Sequence, residues 1–327
     1  MFCKEFRPVE LFERLEDFYQ RWCEGEFIDI PEETLLQKTT RRLQNQGISL
    51  GQRQVDIYTG LNVMILLLEL HRYAQGKDEL KDKVAFYPCD QLDSKDFEPE
   101  RLLRIMSYSN SVNLGTFRDT VGLFLGDANL SHANLSRTEL SGANLSDANL
   151  SRANLIGTEL SSANLSGAGL SGTKFSGADL RGAELRMANI IGAELSGANL
   201  IGAYLSGAKL SGAKLSGANL IGAYLSGTDL NGANLNRANL IGAYLSCAKL
   251  NGAKLNGANL NRANLIGANL SGTNLSGTNL SDANLSDADL RGANLRNISW
   301  DEKTNWGNVK GLETAVDVPI ALLRQLL

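Results

Sequence analysis

From Gly126 to Leu295 the chain repeats one hydropathy pattern every five residues. Two variable positions, mostly Ser then Gly, precede a small apolar residue, a polar one and a large apolar one. The 34 blocks follow one another without insertion. Leu closes each block except at Phe175 and Ile190. Ala stands two places earlier, replaced by Thr at Thr138, Thr158, Thr173, Thr228, Thr273 and Thr278. A period of five fits neither a helix nor a plain strand. It fits a chain that turns a corner once per block. Ala and Leu then point inward from a short extended side, the residue between them points outward, and Ser-Gly makes the corner, where Gly tolerates the angles a turn demands.

The number of sides follows from a longer period. The block Ile-Gly-Ala-Tyr-Leu recurs at 201–205, 221–225 and 241–245, so Tyr204, Tyr224 and Tyr244 stand twenty apart, as do Ile201, Ile221 and Ile241. Twenty residues are four blocks. A four-sided coil stacks these tyrosines on one face at about 4.8 Å, the spacing of paired strands. Lys209, Asp229 and Lys249 then alternate in sign on a second face, and Lys174, Glu194 and Lys214 on a third, as neighbouring strands prefer. The fourth face stacks the like charges Glu139, Glu159 and Asp179 before Asn199, Asn219, Asn239 and Asn259 take over.

This run resembles the pentapeptide-repeat family, whose motif is a small residue, a polar one, Leu and two variable positions. The resemblance covers about half of the chain. It implies a mainly β solenoid, a right-handed quadrilateral β-helix with the Ala and Leu positions inside. Long uninterrupted runs of this kind are especially common in cyanobacterial proteins. Some members resemble duplex DNA in shape and negative charge and bind type II topoisomerases, which makes mimicry an alternative function with the acidic patch Glu139, Glu159 and Asp179 as its contact. Residues 126–300 carry 13 Lys plus Arg against 11 Asp plus Glu, so the rod lacks the dense negative charge a DNA mimic needs. Arg137 and Arg152 are expected to offset the patch.

The flanks read as helical. Residues 8–25 predict an amphipathic helix with Pro8 at its first position and Leu11, Phe12, Leu15, Phe18, Tyr19 and Trp22 on its apolar face. A second helix is expected from Pro31 to Gly47, buried through Leu35, Leu36 and Leu43. Ser49 and Gln52 have capping-box spacing. The helix they open runs to Gly76, is apolar through Val63, Met64, Leu66, Leu67 and Leu68, and is the centre of a small bundle, with Gly51 and Gly60 weakening its continuity. A short helix follows Pro99, with Leu102, Leu103 and Ile105 inward. Leu123 and Leu125 already suit the two inward places of a first coil side. After Leu295 the repeat decays through Ile298 and Trp300, residues 301–307 break the register, and Pro319 to Leu327 form an apolar helix. The organisation is thus an α-helical bundle over 1–110, the β-helix over 111–300, and a loop with a capping helix over 301–327. Solenoid ends need covering. The bundle and the last helix are the expected caps, the helix also being a candidate homodimer surface.

Charge and chemistry narrow the function. The formal net charge of −4 exerts no strong pull on nucleic acid or anionic lipid. Lys4, Glu5 and Arg7 interrupt any early apolar run, so no leader is expected. Leu61 to Leu70 is too short to span a bilayer, so the expectation is a soluble, cytoplasmic protein. None of Cys3, Cys23, Cys89 and Cys247 forms a C-x-x-C pair, which predicts free thiols and no zinc site. A bridge among the first three has no support in the sequence. His71 and His132 are the only histidines. His71 reads as a packed or surface residue. Gly167 to Gly172 match G-x-G-x-x-G but lie inside the repeat, without the strand and helix a dinucleotide site requires. The Asn-Leu-Ser sequons mean nothing without secretion. A coil filled with Leu and Ala leaves no substrate cavity. The expectation is a non-enzymatic interaction or scaffold protein with no cofactor. Its candidate partner surface is Tyr204, Tyr224 and Tyr244 with Ile201, Ile221 and Ile241 exposed beside them. The same ladder is also read as no more than a stabiliser of neighbouring coils.

Overall fold

The computed structural model describes residues 6–25, 42, 45, 52–92 and 94–326. The expected helix at Pro31–Gly47 lies outside the described residues apart from 42 and 45, and the cap residue Ser49, Cys3 and Leu327 lie outside them altogether. Helix α1, Pro8–Cys23, opens on Pro8 and buries Phe12, Tyr19 and Trp22. Leu11, placed on that face by spacing, is 39% exposed: it sits at the edge of the stripe, away from the packing partner. Helix α2, Gln52–Gln75, is unbroken and packs against α1. Gly60 does not interrupt it. A Cβ there would lie 1.9 Å from Trp22 Cε2, so the missing side chain makes room for the indole. Of the residues that make the helix apolar, Val63, Met64, Leu67 and Leu68 are buried and Leu66 is 50% exposed. Helices α3, Arg101–Asn110, and α4, Thr116–Thr120, complete the described part of the bundle, with Leu102 and Ile105 in the core and Leu103 half-buried.

The repeat folds as a four-sided coil. Every fifth residue pairs in parallel with the residue twenty further on, beginning at Asn129↔Asn149. Each pairing is one residue wide, so among the described residues the sides are single bridges and no longer strand forms. One block shows why the pattern works. The amide of Leu235 donates to Lys254 O (2.7 Å), that of Arg237 to Asn256 O (3.0 Å), that of Ala238 to Leu235 O (3.0 Å) and that of Asn239 to Ala218 O (2.9 Å). The remaining amide, of Asn236, donates to the side chain of Asn234 at 3.1 Å. All five donors are satisfied, as buried backbone requires. The frequent outward Asn is therefore a turn-forming residue as well as a solvated one. The second corner residue is left-handed throughout, for example Gly192 at φ +65 and Arg237 at φ +57, so Gly is favoured there and other residues cost about 1 kcal/mol or more.

Inside, Leu and Ala are buried along the whole coil. Thr in the Ala position keeps its hydroxyl satisfied: Thr158 and Thr173 donate to Leu135 O and Leu150 O of the preceding coil, each at 2.7 Å. Both ends differ from the sequence expectation. Leu123 is 65% exposed and lies in a 3-10 turn, Gly122–Phe124, so only Leu125 joins the core. The bundle nevertheless finishes the edge through backbone. Asn134 N donates to Pro99 O (2.7 Å) and Asn144 N to Gly122 O (2.9 Å). Arg72 donates to Gly126 O (3.0 Å) and Phe124 O (3.3 Å). At the other end residues 301–307 do not stop the coil. One extra residue slips the pairing to Asn284↔Asn305 and Asp289↔Lys310, and a second to Asn294↔Val316. Thr304 and Trp306 take the inward places there. Helix α5, Ile320–Leu326, then buries Leu322 against the last coil, and Trp300 Nε1 donates to Gln325 at 2.9 Å.

Candidate functional site

The coil brings Tyr204, Tyr224 and Tyr244 onto one face as consecutive bridge partners. Their rings stack with centroids 4.8 and 5.0 Å apart and planes within 2° and 3° of parallel. Edges and hydroxyls therefore point outward while the ring faces cover one another. At the N-terminal end Glu184 precedes Tyr204 on the same face. Arg186 pairs with Glu184 and lays its guanidinium 4.7 Å from the Tyr204 ring centre. Exposure rises along the stack: Tyr204 is half-buried, Tyr224 is 38% and Tyr244 45% exposed. Ile201, Ile221 and Ile241 are half-buried at the neighbouring corners, not exposed as expected. They lie one above another, so each is covered in part by the next coil. The apolar strip is thus narrower than the sequence implied, and tyrosine dominates it.

The acidic patch is also a consecutive set, Glu139, Glu159 and Asp179. Its charge is answered from places that sequence spacing did not indicate. Arg181 grips Asp179 with Nε 2.8 and 2.9 Å from the two carboxylate oxygens, which holds that carboxyl below its usual range. Arg118, on α4, donates to Asp119, which raises the Arg118 pKa, and the charges of Asp119, Glu139 and Glu159 add to that. Arg137 and Arg152, expected to do this, make no ion pair among the described residues. Of the predicted alternating ladders, the pair Lys214–Glu194 closes, at 2.8 Å, and lowers the Glu194 pKa.

The remaining chemistry-bearing groups are dispersed. His71 is buried in the bundle, where its Nδ1 accepts from Phe86 N at 3.2 Å. Burial, its largest influence, pushes its pKa down. His132 lies at a corner of the first coil. Cys23, Cys89 and Cys247 are free thiols, and burial raises Cys23 and Cys89 to about 11, far from the thiolate a nucleophile needs. Among the described residues no group of three His, Cys, Asp or Glu could hold a metal. A groove of about 500 Å³ beside α1 and α3 is lined mainly by Trp22, Leu103, Ile105 and Tyr108. Among the described residues no helix is long and apolar enough to cross a membrane.

Comparison with known proteins places the coil. The family model described as pentapeptide repeats matches in eight copies, running from residue 125 to 297. No curated protein matches the chain. Among solved structures, the chain is similar to HetL, a pentapeptide repeat protein involved in heterocyst differentiation regulation from the cyanobacterium Nostoc sp. strain PCC 7120. That match has 38% identity over 58% of this chain and 90% of that one, at a TM-score of 0.41. A pentapeptide repeat protein from the Arabidopsis thaliana thylakoid lumen shares 32% identity over 33% of this chain and 76% of its own, with a TM-score of 0.30. QnrB1, a plasmid-mediated fluoroquinolone resistance protein, shares 22% over 52% and 88%, with a TM-score of 0.46. The family match spans more than half of the sequence and follows the same five-residue blocks that build the coil, whose fold the family implies to be a right-handed β-helix: the chain belongs to the pentapeptide repeat family.

Proposed function

We propose that this protein is a non-enzymatic, cytoplasmic scaffold that binds a partner protein through the tyrosine face of its rod. One observation carries the reading: a row of three stacked tyrosines, increasingly exposed, on a face that no described element covers. Tyrosine suits an interface because it buries apolar area while its hydroxyl stays wet. The rings are locked by mutual stacking, so little side-chain entropy is lost on binding. DNA mimicry is the weaker reading, because the acidic patch is already faced by Arg118 and Arg181.

The test compares two full-length variants. Tyr204→Ser/Tyr224→Ser/Tyr244→Ser is expected to lose capture of its partner from native lysate, with the captured protein identified by mass spectrometry. Glu139→Gln/Glu159→Gln is expected to keep it. Circular dichroism confirms folding of both. Loss with the glutamine variant alone, together with inhibition of supercoiling by the wild type, would reverse the assignment. Retention by both would move recognition to the helical bundle.

A further inference from the structure

The near balance of charge along the rod hides a segregation. From residue 126 to 194 there are seven acids and five bases. From 195 to 265, the coils that carry the tyrosines, Asp229 stands alone against Lys209, Lys214, Arg237, Lys249, Lys254 and Arg262. Lys209 and Lys249 lie on the side that follows the tyrosine side in each coil, separated from it by the small corner residues at 206–207 and 246–247. Lys254 lies on the next side again, opposite the tyrosines. All three lysines are exposed, and among the described residues none forms an ion pair, whereas Lys214 is held by Glu194. Asp229 stands between Lys209 and Lys249 in the stack, with one carboxylate oxygen accepting from Asn231 N at 3.1 Å.

We infer that the tyrosine side and the adjoining side of Lys209 and Lys249 form one docking surface, and that its occupant is an acidic protein segment. The inference rests on the proposed tyrosine interface and adds the partner's charge. An aromatic centre with a charged rim is the usual anatomy of an interface, and rim charges select the partner and steer its approach. Lys209 and Lys249 outnumber the one carboxylate between them, Asp229, and neither closes an ion pair with it, so the side keeps a net positive charge. Carboxylates on the partner complement that field. Nucleic acid fits less well. Single strands bind by stacking successive bases on open aromatic faces, and here Tyr204 is covered by Arg186 and Tyr224 lies between its neighbours, which leaves at most the outer face of Tyr244.

The experiment uses the full-length protein and two fluorescein-labelled probes, poly-L-glutamate and oligo-dT, followed by anisotropy at about 50 and about 150 mM salt. Poly-L-glutamate is expected to bind more tightly than oligo-dT and to weaken as salt rises. Lys209→Gln/Lys249→Gln is expected to weaken it roughly fivefold. A control with the same change in net charge at the last coils, Arg296→Gln/Lys303→Gln, is expected to leave it unchanged. The tyrosine-to-serine triple variant is expected to keep poly-L-glutamate binding, so failure of the tyrosine reading and failure of the lysine reading give different results. Equal loss in the control, no loss in the lysine variant, or tighter binding of oligo-dT would overturn the inference.

Discussion

Gly60 shows how far one absent methyl group reaches. Helix propensity alone makes it a weak point of about 1 kcal/mol in α2, yet the Trp22 ring occupies the space its side chain would fill. Gly60→Ala is therefore expected to destabilise the bundle by several kcal/mol, because overpacking a tight contact outweighs any gain in propensity. Gly192→Ala meets nothing within 4 Å and carries only the left-handed penalty, about 1–2 kcal/mol. Urea unfolding of both variants checks this: a Gly60→Ala protein as stable as Gly192→Ala would contradict the contact. The coil tolerates Arg237, Cys247 and Met187 in the same left-handed corner as Gly192 because their side chains project to solvent or lean over the corner glycine of the next coil.

The helical bundle holds a pH-sensitive contact. His71 accepts a hydrogen bond from Phe86 N through Nδ1, so it packs neutral and resists protonation. Burial dominates, with the Arg72 charge adding to it, and the carbonyl of Val84 and the charge of Asp127 oppose them. The folded pKa lies below the ordinary 6.5, so the unfolded chain takes up a proton first as pH falls. Stability is expected to be flat above that value, to fall as pH drops from 6.5 toward the depressed folded pKa, and then to level off. A single group limits the slope to about 1.4 kcal/mol per pH unit. His71→Gln keeps an acceptor for Phe86 N and removes the titration. Denaturation midpoints across this range should lose their His71-dependent slope in that variant, and an unchanged slope would assign it elsewhere.

The rod is one continuous core, and its two ends are closed in different ways. The bundle lends backbone carbonyls and the Arg72 guanidinium to the first coil, whereas α5 and Trp300 close the last. Deleting residues 319–327 uncovers the Leu322 contact and the free edge of a parallel coil. The truncated chain is expected to associate edge to edge, seen as a rising mass in light scattering. A stable monomer of unchanged mass would show that α5 is not needed as a cap. A wild-type dimer that becomes monomeric on truncation would instead make Ile320 and Leu323, both exposed on α5, part of a homodimer contact.

The coil was legible in the sequence because its information is local and repeated. Each block carries its own corner, its own inward pair and, at most positions, its own side-chain acceptor, and the twenty-residue spacing of the tyrosines supplies the number of sides. The ladder of Tyr204, Tyr224 and Tyr244 was found the same way. What stayed hidden depends on groups that sequence spacing does not relate. The half-burial of Ile201, Ile221 and Ile241 is set by the coil above each one, and the approach of the Arg118 charge to Glu139 and Glu159 by how α4 meets the rod. Leu123 keeps the inward spacing yet turns outward because backbone from the bundle already closes that edge. Past residue 300 an inserted residue disguises the repeat, but the last coil still has apolar surface to bury, so the chain slips by one and continues. Periodicity determines a core wherever each block can satisfy itself, and only tertiary contacts decide what happens where the blocks end.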